Sequence, residues 1–130
     1  MSTDFKPTGY NSVSPYLVVD GAQRMIDLLK KIFDVKDLRC YMDENGKIVH
    51  AEVKLDDSVI MIADSTDGWP QNQSLIHVYV PDVDAAYRAA LAAGCDAAQD
   101  PKEQEGDPDR RGEFRDFAGN FWSVSTQRPQ

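Results

Sequence analysis

Val19, Ala22, Met25 and Leu29 fall on Val80, Val83, Ala86 and Ala90 when one half of the chain is laid on the other at an offset of about 61 residues. No other sequence feature constrains the fold as much, because the order of elements repeats with the register. Residues 12–20, "SVSPYLVVD", form a β-branched and aromatic run that stops at Gly21, where the chain can turn. From Ala22 to Phe33 the apolar residues Ala22, Met25, Ile26, Leu29, Ile32 and Phe33 line one helical face, with Arg24, Lys30 and Lys31 left for water. Strand-like runs follow at 37–43, 47–55 and 58–65, separated by the tight-turn signals "ENG" and "DD". The first half therefore reads βαβββ.

Residues 66–73, "TDGWPQNQ", have no apolar period and read as a linker. The order then begins again. "SLIHVYV" is a strand. "DVDAAYRAALAAG" is a helix with Asp82 as N-cap, Val83, Ala86, Tyr87, Ala90 and Leu91 on its buried face, and Gly94 as its stop. "CDAAQDP" is a short strand, residues 102–110 a polar loop, and "RGEFRDF" with "NFWSVSTQ" a closing hairpin around a "DFAG" turn. The boundaries expected are a tail over 1–11, one βαβββ module over 12–65, the linker over 66–73 and a second module over 74–127. The fold class is α+β.

The chain has 130 residues and is 42% hydrophobic, enough to bury the core of one domain or of two small half-domains. Its net charge of −8, with basic residues scattered, repels phosphate backbones and anionic lipid, so no nucleic-acid partner is expected. No apolar run approaches the roughly 20 residues that span a bilayer, and the first residues lack the charged start and apolar stretch of a signal peptide. A cytoplasmic protein without membrane association is expected. Cys40 and Cys95 form no CxxC pair and are expected reduced and partly buried. Nucleotide-binding, serine-hydrolase and zincin motifs do not occur.

The tandem βαβββ order, the "VSPYLVVDG" opening, "VIMIAD", "VPDVDAAYRAALAAG" and the ending "GDPDRRGEFRDFAGNFWSVSTQ" together resemble the vicinal oxygen chelate superfamily. That group includes glyoxalase I, bleomycin resistance proteins, fosfomycin resistance enzymes and extradiol dioxygenases. The resemblance covers residues 12–127 and is greatest to the PhnB-like, glyoxalase-related branch. It implies that each half curls its sheet around a cavity, that the halves form a partly closed barrel, and that the protein is a homodimer, which also fits sheet edges otherwise left exposed.

In metal-using members, four ligands, usually His and Glu, come from the first and last strands of the two halves and hold one divalent ion. Carried over by register, these slots fall on Ser14, Met61, Leu75 and Ser123. Two hydroxyls, a thioether and an alkyl chain offer a divalent cation almost no charge compensation, so no metal cofactor is expected unless the register is wrong. His77 lies two residues after Leu75, hence on the cavity face that the resemblance implies. It reads either as a hydrogen-bond donor or general base for a ligand, or as a half-buried imidazole bonded to a neighbouring strand. His50 and Glu52 share one face of their strand, opposite Val49, Ala51, Val53 and Leu55. Together with His77 they are the minimum for a displaced metal site, against a solvated face with Glu52 paired to Lys54.

Tyr16, Val18, Val59, Met61, Tyr79 and Phe121 share faces with the four slots, and Ser14, Ser123 and Ser125 add hydroxyls, the composition of a small-molecule pocket. Glu113, Arg115 and Asp116 are candidates for a charged rim, with Asp116 as the cap of the "DFAGN" turn. Trp69 is a candidate lid, or packs against the other half. The expected ligand-binding set is Ser14, Tyr16, Met61, Leu75, His77, Tyr79, Phe121 and Ser123, with His77 and Glu52 as catalytic candidates. The first functional expectation is a protein that binds a small aromatic or apolar molecule without metal. The alternatives are a metal-dependent glyoxalase-type lyase or isomerase with a displaced site, and a scaffold whose cavity is filled by its own side chains.

Overall fold

A computed structural model of the chain describes residues 4–129 and divides it after Asn72 into two compact units. The first runs β1 (Tyr16–Val19), α1 (Ala22–Ile32), β2 (Val35–Met42), β3 (Ile48–Leu55) and β4 (Ser58–Asp64). The second runs β5 (Leu75–Tyr79), α2 (Val83–Ala92), β6 (Asp96–Glu103), β7 (Asp109–Arg115) and β8 (Phe121–Gln127). Each builds a four-stranded sheet, ordered β1-β4-β3-β2 and β5-β8-β7-β6, with β1 parallel to β4, β5 parallel to β8 and the other pairs antiparallel. The tandem βαβββ order and the α+β class expected from the sequence are the observed ones. Neither sheet closes on itself.

Alternation along the strands gives every sheet two faces. In the first unit Leu17, Val19, Ala51, Val53, Ile60 and Ile62 are buried together with Ala22, Met25, Ile26 and Leu29 of α1. In the second, Ile76, Val78, Phe114, Trp122 and Val124 are buried together with Val83, Ala86, Tyr87 and Ala90 of α2. Each large apolar side chain taken from water contributes about 1.5–3 kcal/mol, so these two layers supply most of the stability of their units. Phe114 and Trp122 face each other across β7 and β8 with rings stacked at 6.4 Å.

The helix starts repeat as well. Asp64, at the end of β4, accepts the N–H groups of Ala22 (2.8 Å) and Gly21 (3.3 Å), while Thr126, near the end of β8, accepts that of Val83 (2.9 Å). Asp82 caps α2 as expected, accepting from the Ala85 N–H at 3.1 Å. Gly21 enters α1 at φ 114°, a left-handed conformation that only glycine adopts without strain.

Three expectations are corrected. The first strand begins at Tyr16, so Ser14 precedes it. Pro15 has no N–H for the ladder, although its carbonyl accepts from the Met61 N–H at 2.9 Å. The polar loop is shorter than 102–110, because β6 runs on to Glu103 and β7 starts at Asp109. Cys40 is exposed on the edge strand β2, whereas Cys95 is buried and its thiol pushed up to about 11 by burial. Residues 71–72 of the expected linker lie along the open edge of β1. Asn72 accepts from the Val18 N–H and donates to the Tyr16 carbonyl, and Gln71 accepts from the Asp20 N–H. No described helix is long and apolar enough to cross a membrane.

Candidate functional site

The faces opposite the helices carry the polar and aromatic residues singled out in the sequence. In the first unit Tyr16 stands beside Met61, and Met61 beside Glu52. In the second, His77 stands beside Ser123, and Ser123 beside Glu113. The two rows, Tyr16–Met61–Glu52 and His77–Ser123–Glu113, hold equivalent places. Of the four expected slots, Met61 and Ser123 lie in these rows, Ser14 lies just ahead of β1, and Leu75 lies at the start of β5 opposite Phe121.

Ser14, Met61, Leu75 and Ser123 hold two hydroxyls, a thioether and an alkyl chain, which do not fit the carboxylate- and imidazole-rich set a divalent ion takes. His50 and Glu52, offered as part of a displaced site, are already bonded to each other. Among the described residues no group of three or more His, Cys, Asp or Glu side chains is placed to hold a metal ion.

In the first unit the row continues into a chain of side-chain hydrogen bonds. Glu52 is 4% exposed, which overturns the expected solvated face and the pairing with Lys54. Lys54 instead donates to the Gly9 carbonyl at 2.9 Å. The Glu52 carboxylate accepts from the Tyr10 hydroxyl (2.5 Å) and stands 2.8 Å from His50 Nε2, while His50 Nδ1 stands 2.8 Å from the Tyr16 hydroxyl. Burial works against the charge of Glu52, but the bonds from Tyr10 and His50 outweigh it and hold the carboxyl below its ordinary range. A carboxylate only accepts, so in the neutral ring Nε2 carries the imidazole proton and Nδ1 accepts the Tyr16 O–H. Burial, then the charge of Glu52, raises the Tyr16 phenol, which keeps it protonated.

Tyr16 also lines a cavity of about 250 Å³ with Asp43, Lys47, Ile48, Ala63 and Trp69. Trp69, 59% exposed, is held by a two-way backbone bridge with Thr66, at 2.9 and 3.1 Å. This places the expected lid candidate on the wall of a first-unit cavity. Asp43 and Asp64 at its edge also serve the backbone. Asp43 Oδ1 accepts from Asn45 and Lys47, and Asp64 Oδ2 from Ile48. Burial opposes the charge of Asp64, and the N–H groups of Ala22, Ile48 and Gly21 overcome it, leaving its carboxyl low.

The second unit presents a more open face. Leu75 is 72% and Tyr79 61% exposed, with Phe121 half-buried beside Leu75. His77 Nε2 stands 3.1 Å from Ser125 Oγ, and its ring meets Tyr79 edge-on at 4.7 Å. The imidazole is thus bonded to a neighbouring strand, but it is exposed rather than half-buried. Burial, then the Arg111 charge, lowers it. Tyr79 donates to Asp109 at 2.7 Å, and Arg111 approaches Asp109 and Asp107 at 3.4 Å. The Glu113 carboxylate, half-buried, has no hydrogen-bond or ion-pair partner among the described residues. Asp116 is the expected turn cap. It accepts from the Ala118 and Asn120 N–H groups and from Trp122 Nε1 (2.9 Å), while Gly119 adopts φ 87°.

Sequence reasoning missed Tyr10, Asp109 and Arg111. The last two follow from period-two alternation, since Asp109, Arg111 and Glu113 share a face. Nothing in the sequence near Tyr10 announces a partner 42 residues away.

No sequence-family model matches the chain. The uncharacterized protein Mb0911c of Mycobacterium bovis is 32% identical over 124 residues, covering 87% of this chain and 81% of that protein. TioX from Micromonospora sp. ML1 superposes with a TM-score of 0.70 at 22% identity, covering 92% of this chain and 98% of TioX. The PhnB protein from Bacillus cereus gives 0.68 at 16% identity over 89% of this chain and 99% of its own. TnmS3, an antibiotic binding protein from Streptomyces sp. CB03234, gives 0.67 at 17% over 92% and 100%. The fold is also that of a FosX fosfomycin resistance protein and of a glyoxalase/bleomycin resistance protein. The chain therefore belongs to one family with Mb0911c, and its paired βαβββ units have the fold of the glyoxalase/bleomycin resistance proteins.

Proposed function

We propose that this protein binds a small aromatic or apolar molecule on the sheet faces opposite its helices, without a metal ion. One observation carries the reading. At the positions that the resemblance assigns to metal ligands this chain has Ser14, Met61, Leu75 and Ser123, and the aromatic residues Tyr16, Tyr79 and Phe121 stand on β1, β5 and β8. Tyr16 and Trp69 offer ring surface in the first unit, and Leu75, Tyr79 and Phe121 in the second. Large rings beside a few fixed polar groups are the usual make-up of a small-molecule site. TnmS3, described as an antibiotic binding protein, has the same fold and supports the class of function.

The test is calorimetric titration of EDTA-treated protein with a panel of planar aromatic antibiotics, coupled to product analysis. Saturable binding without turnover, weakened several-fold by Tyr79→Ala or Phe121→Ala, is the expected result. Conversion of a ligand by the protein as purified, abolished by the EDTA treatment, would replace binding with metal-dependent catalysis.

A further inference from the structure

The cavity of the first unit has a polarity set from below. Glu52, buried and ionised, accepts from both Tyr10 and His50, so the single proton of the neutral imidazole sits on Nε2. His50 Nδ1 is then an acceptor, and the Tyr16 hydroxyl spends its only proton on it. What remains on Tyr16 is oxygen lone pairs. A hydroxyl in solution donates or accepts as its partner requires, but this one is committed in advance.

The rest of the cavity agrees. Asp43 Oδ2 carries no hydrogen bond among the described residues, and Asp64 retains lone pairs beyond its backbone donors. Lys47 is the lining cation, and it acts on Asp64. Carboxylates outnumber ammonium groups on the lining, in a chain whose net charge is −8. The charged groups around His50 and Glu52 are Arg39, stacked over Tyr10 at 5.4 Å, and Lys54, tied to Gly9. Tyr41 lies over the imidazole at 6.3 Å. Arg39 and Lys54 do not line the cavity. Trp69 supplies an aromatic face, which attracts a cation through its ring electrons. At about 250 Å³ the cavity is smaller than drug-sized sites of roughly 300–1,000 Å³ and suits a single ring with a short arm.

From these observations we infer that the first-unit cavity selects an aromatic amine: its ring lies against Trp69, and its ammonium group donates to Tyr16 Oη and the cavity carboxylates, with Glu52 and His50 as positioning residues that fix Tyr16 as an acceptor. The inference rests on the proposal that the protein binds aromatic small molecules, and it names the chemistry of one site.

The probes are 2-phenylethylamine and 3-phenylpropanoate, which share a ring and differ in the sign of the charged end. Both are titrated calorimetrically at neutral pH into the full-length protein and three variants, each checked for folding by circular dichroism. The amine is expected to bind at least about tenfold more tightly than the acid, because the acid sets a like charge against the cavity carboxylates. Trp69→Ala should weaken amine binding. Tyr16→Phe should weaken it about three- to tenfold, the worth of one hydrogen bond. Glu52→Gln puts an amide N–H opposite His50 Nε2. That moves the imidazole proton to Nδ1 and turns the Tyr16 O–H toward the cavity, so the preference for the amine should shrink while the fold is kept. Equal or tighter binding of the acid would overturn the inference and leave aromatic binding standing. A preference unmoved by both Tyr16→Phe and Glu52→Gln in folded protein would overturn the role of the hydrogen-bonded chain. Binding of neither probe, in a protein that does bind aromatic antibiotics, would overturn the assignment of this cavity.

Discussion

The two units place a glutamate at the same point of the same sheet and treat it differently. Glu52 and Glu113 sit opposite Met61 and Ser123 on equivalent strand pairs. Glu52 is buried under Tyr10 and bonded to His50, whereas Glu113 is half-buried and unpartnered among the described residues. The backbone does not make this difference. Two residues earlier on each strand stand His50 and Arg111. His50 turns toward its glutamate, while Arg111 turns toward Asp107 and Asp109, where two carboxylates compete for it. A repeated fold thus gives one closed, internally satisfied site and one open, polar one.

The helix-side layers, by contrast, should respond alike, and the largest effects belong there. Trp122→Ala removes a fully buried ring and the donor to Asp116, and should cost about 3–5 kcal/mol. Ile60→Ala, in the matching layer of the first unit, should cost about 2–5 kcal/mol. Urea unfolding measures both, and a small effect at either position would break the equivalence of the layers.

The glutamates should then separate the units. Glu52→Ala leaves Tyr10 and His50 without their acceptor and should destabilise by about 1–3 kcal/mol. Glu113→Ala should stay within about 0.5 kcal/mol of wild type. Equal losses would mean that Glu113 has a partner in solution. The same contrast has a pH signature. Glu52 is held below its ordinary value of 4.5, so the unfolded chain binds its proton first. Its contribution is therefore complete above about 4.5 and is lost as the pH falls through the lower folded value. Glu52→Gln should flatten that acid limb of the stability curve.

Smaller again are the helix starts. Asp64→Ala removes an anionic acceptor from the first turn of α1 and an N–H partner from Ile48, for about 1–2 kcal/mol. Thr126→Ala removes a neutral acceptor from α2, which keeps Asp82, and should cost about 0.5–1 kcal/mol. Thermal melts of the two variants would rank the caps.

Much of the fold was legible because local rules and the repeat agreed. The apolar stripe of α1, the Asp82 cap and the closing hairpin each follow from spacing or turn chemistry. The site was legible only in part. Period-two alternation gives the faces of Tyr16, Met61, His77 and Ser123, yet which of them stand side by side is set by pairing between strands far apart in the chain. The burial of Glu52 escaped the sequence because it is a tertiary fact. A tyrosine from ahead of the first strand covers a carboxylate that looks solvated from its neighbours alone.

The most direct test is calorimetric titration of zinc, nickel, cobalt and manganese into EDTA-treated protein lacking a histidine tag, with elemental analysis of the protein as purified. No stoichiometric metal in the purified protein and no tight uptake in the titration are expected, because Ser14, Met61, Leu75 and Ser123 do not make a divalent-ion site. One equivalent bound tightly, and lost on His77→Ala, would contradict the metal-free reading and put metal-dependent catalysis in its place.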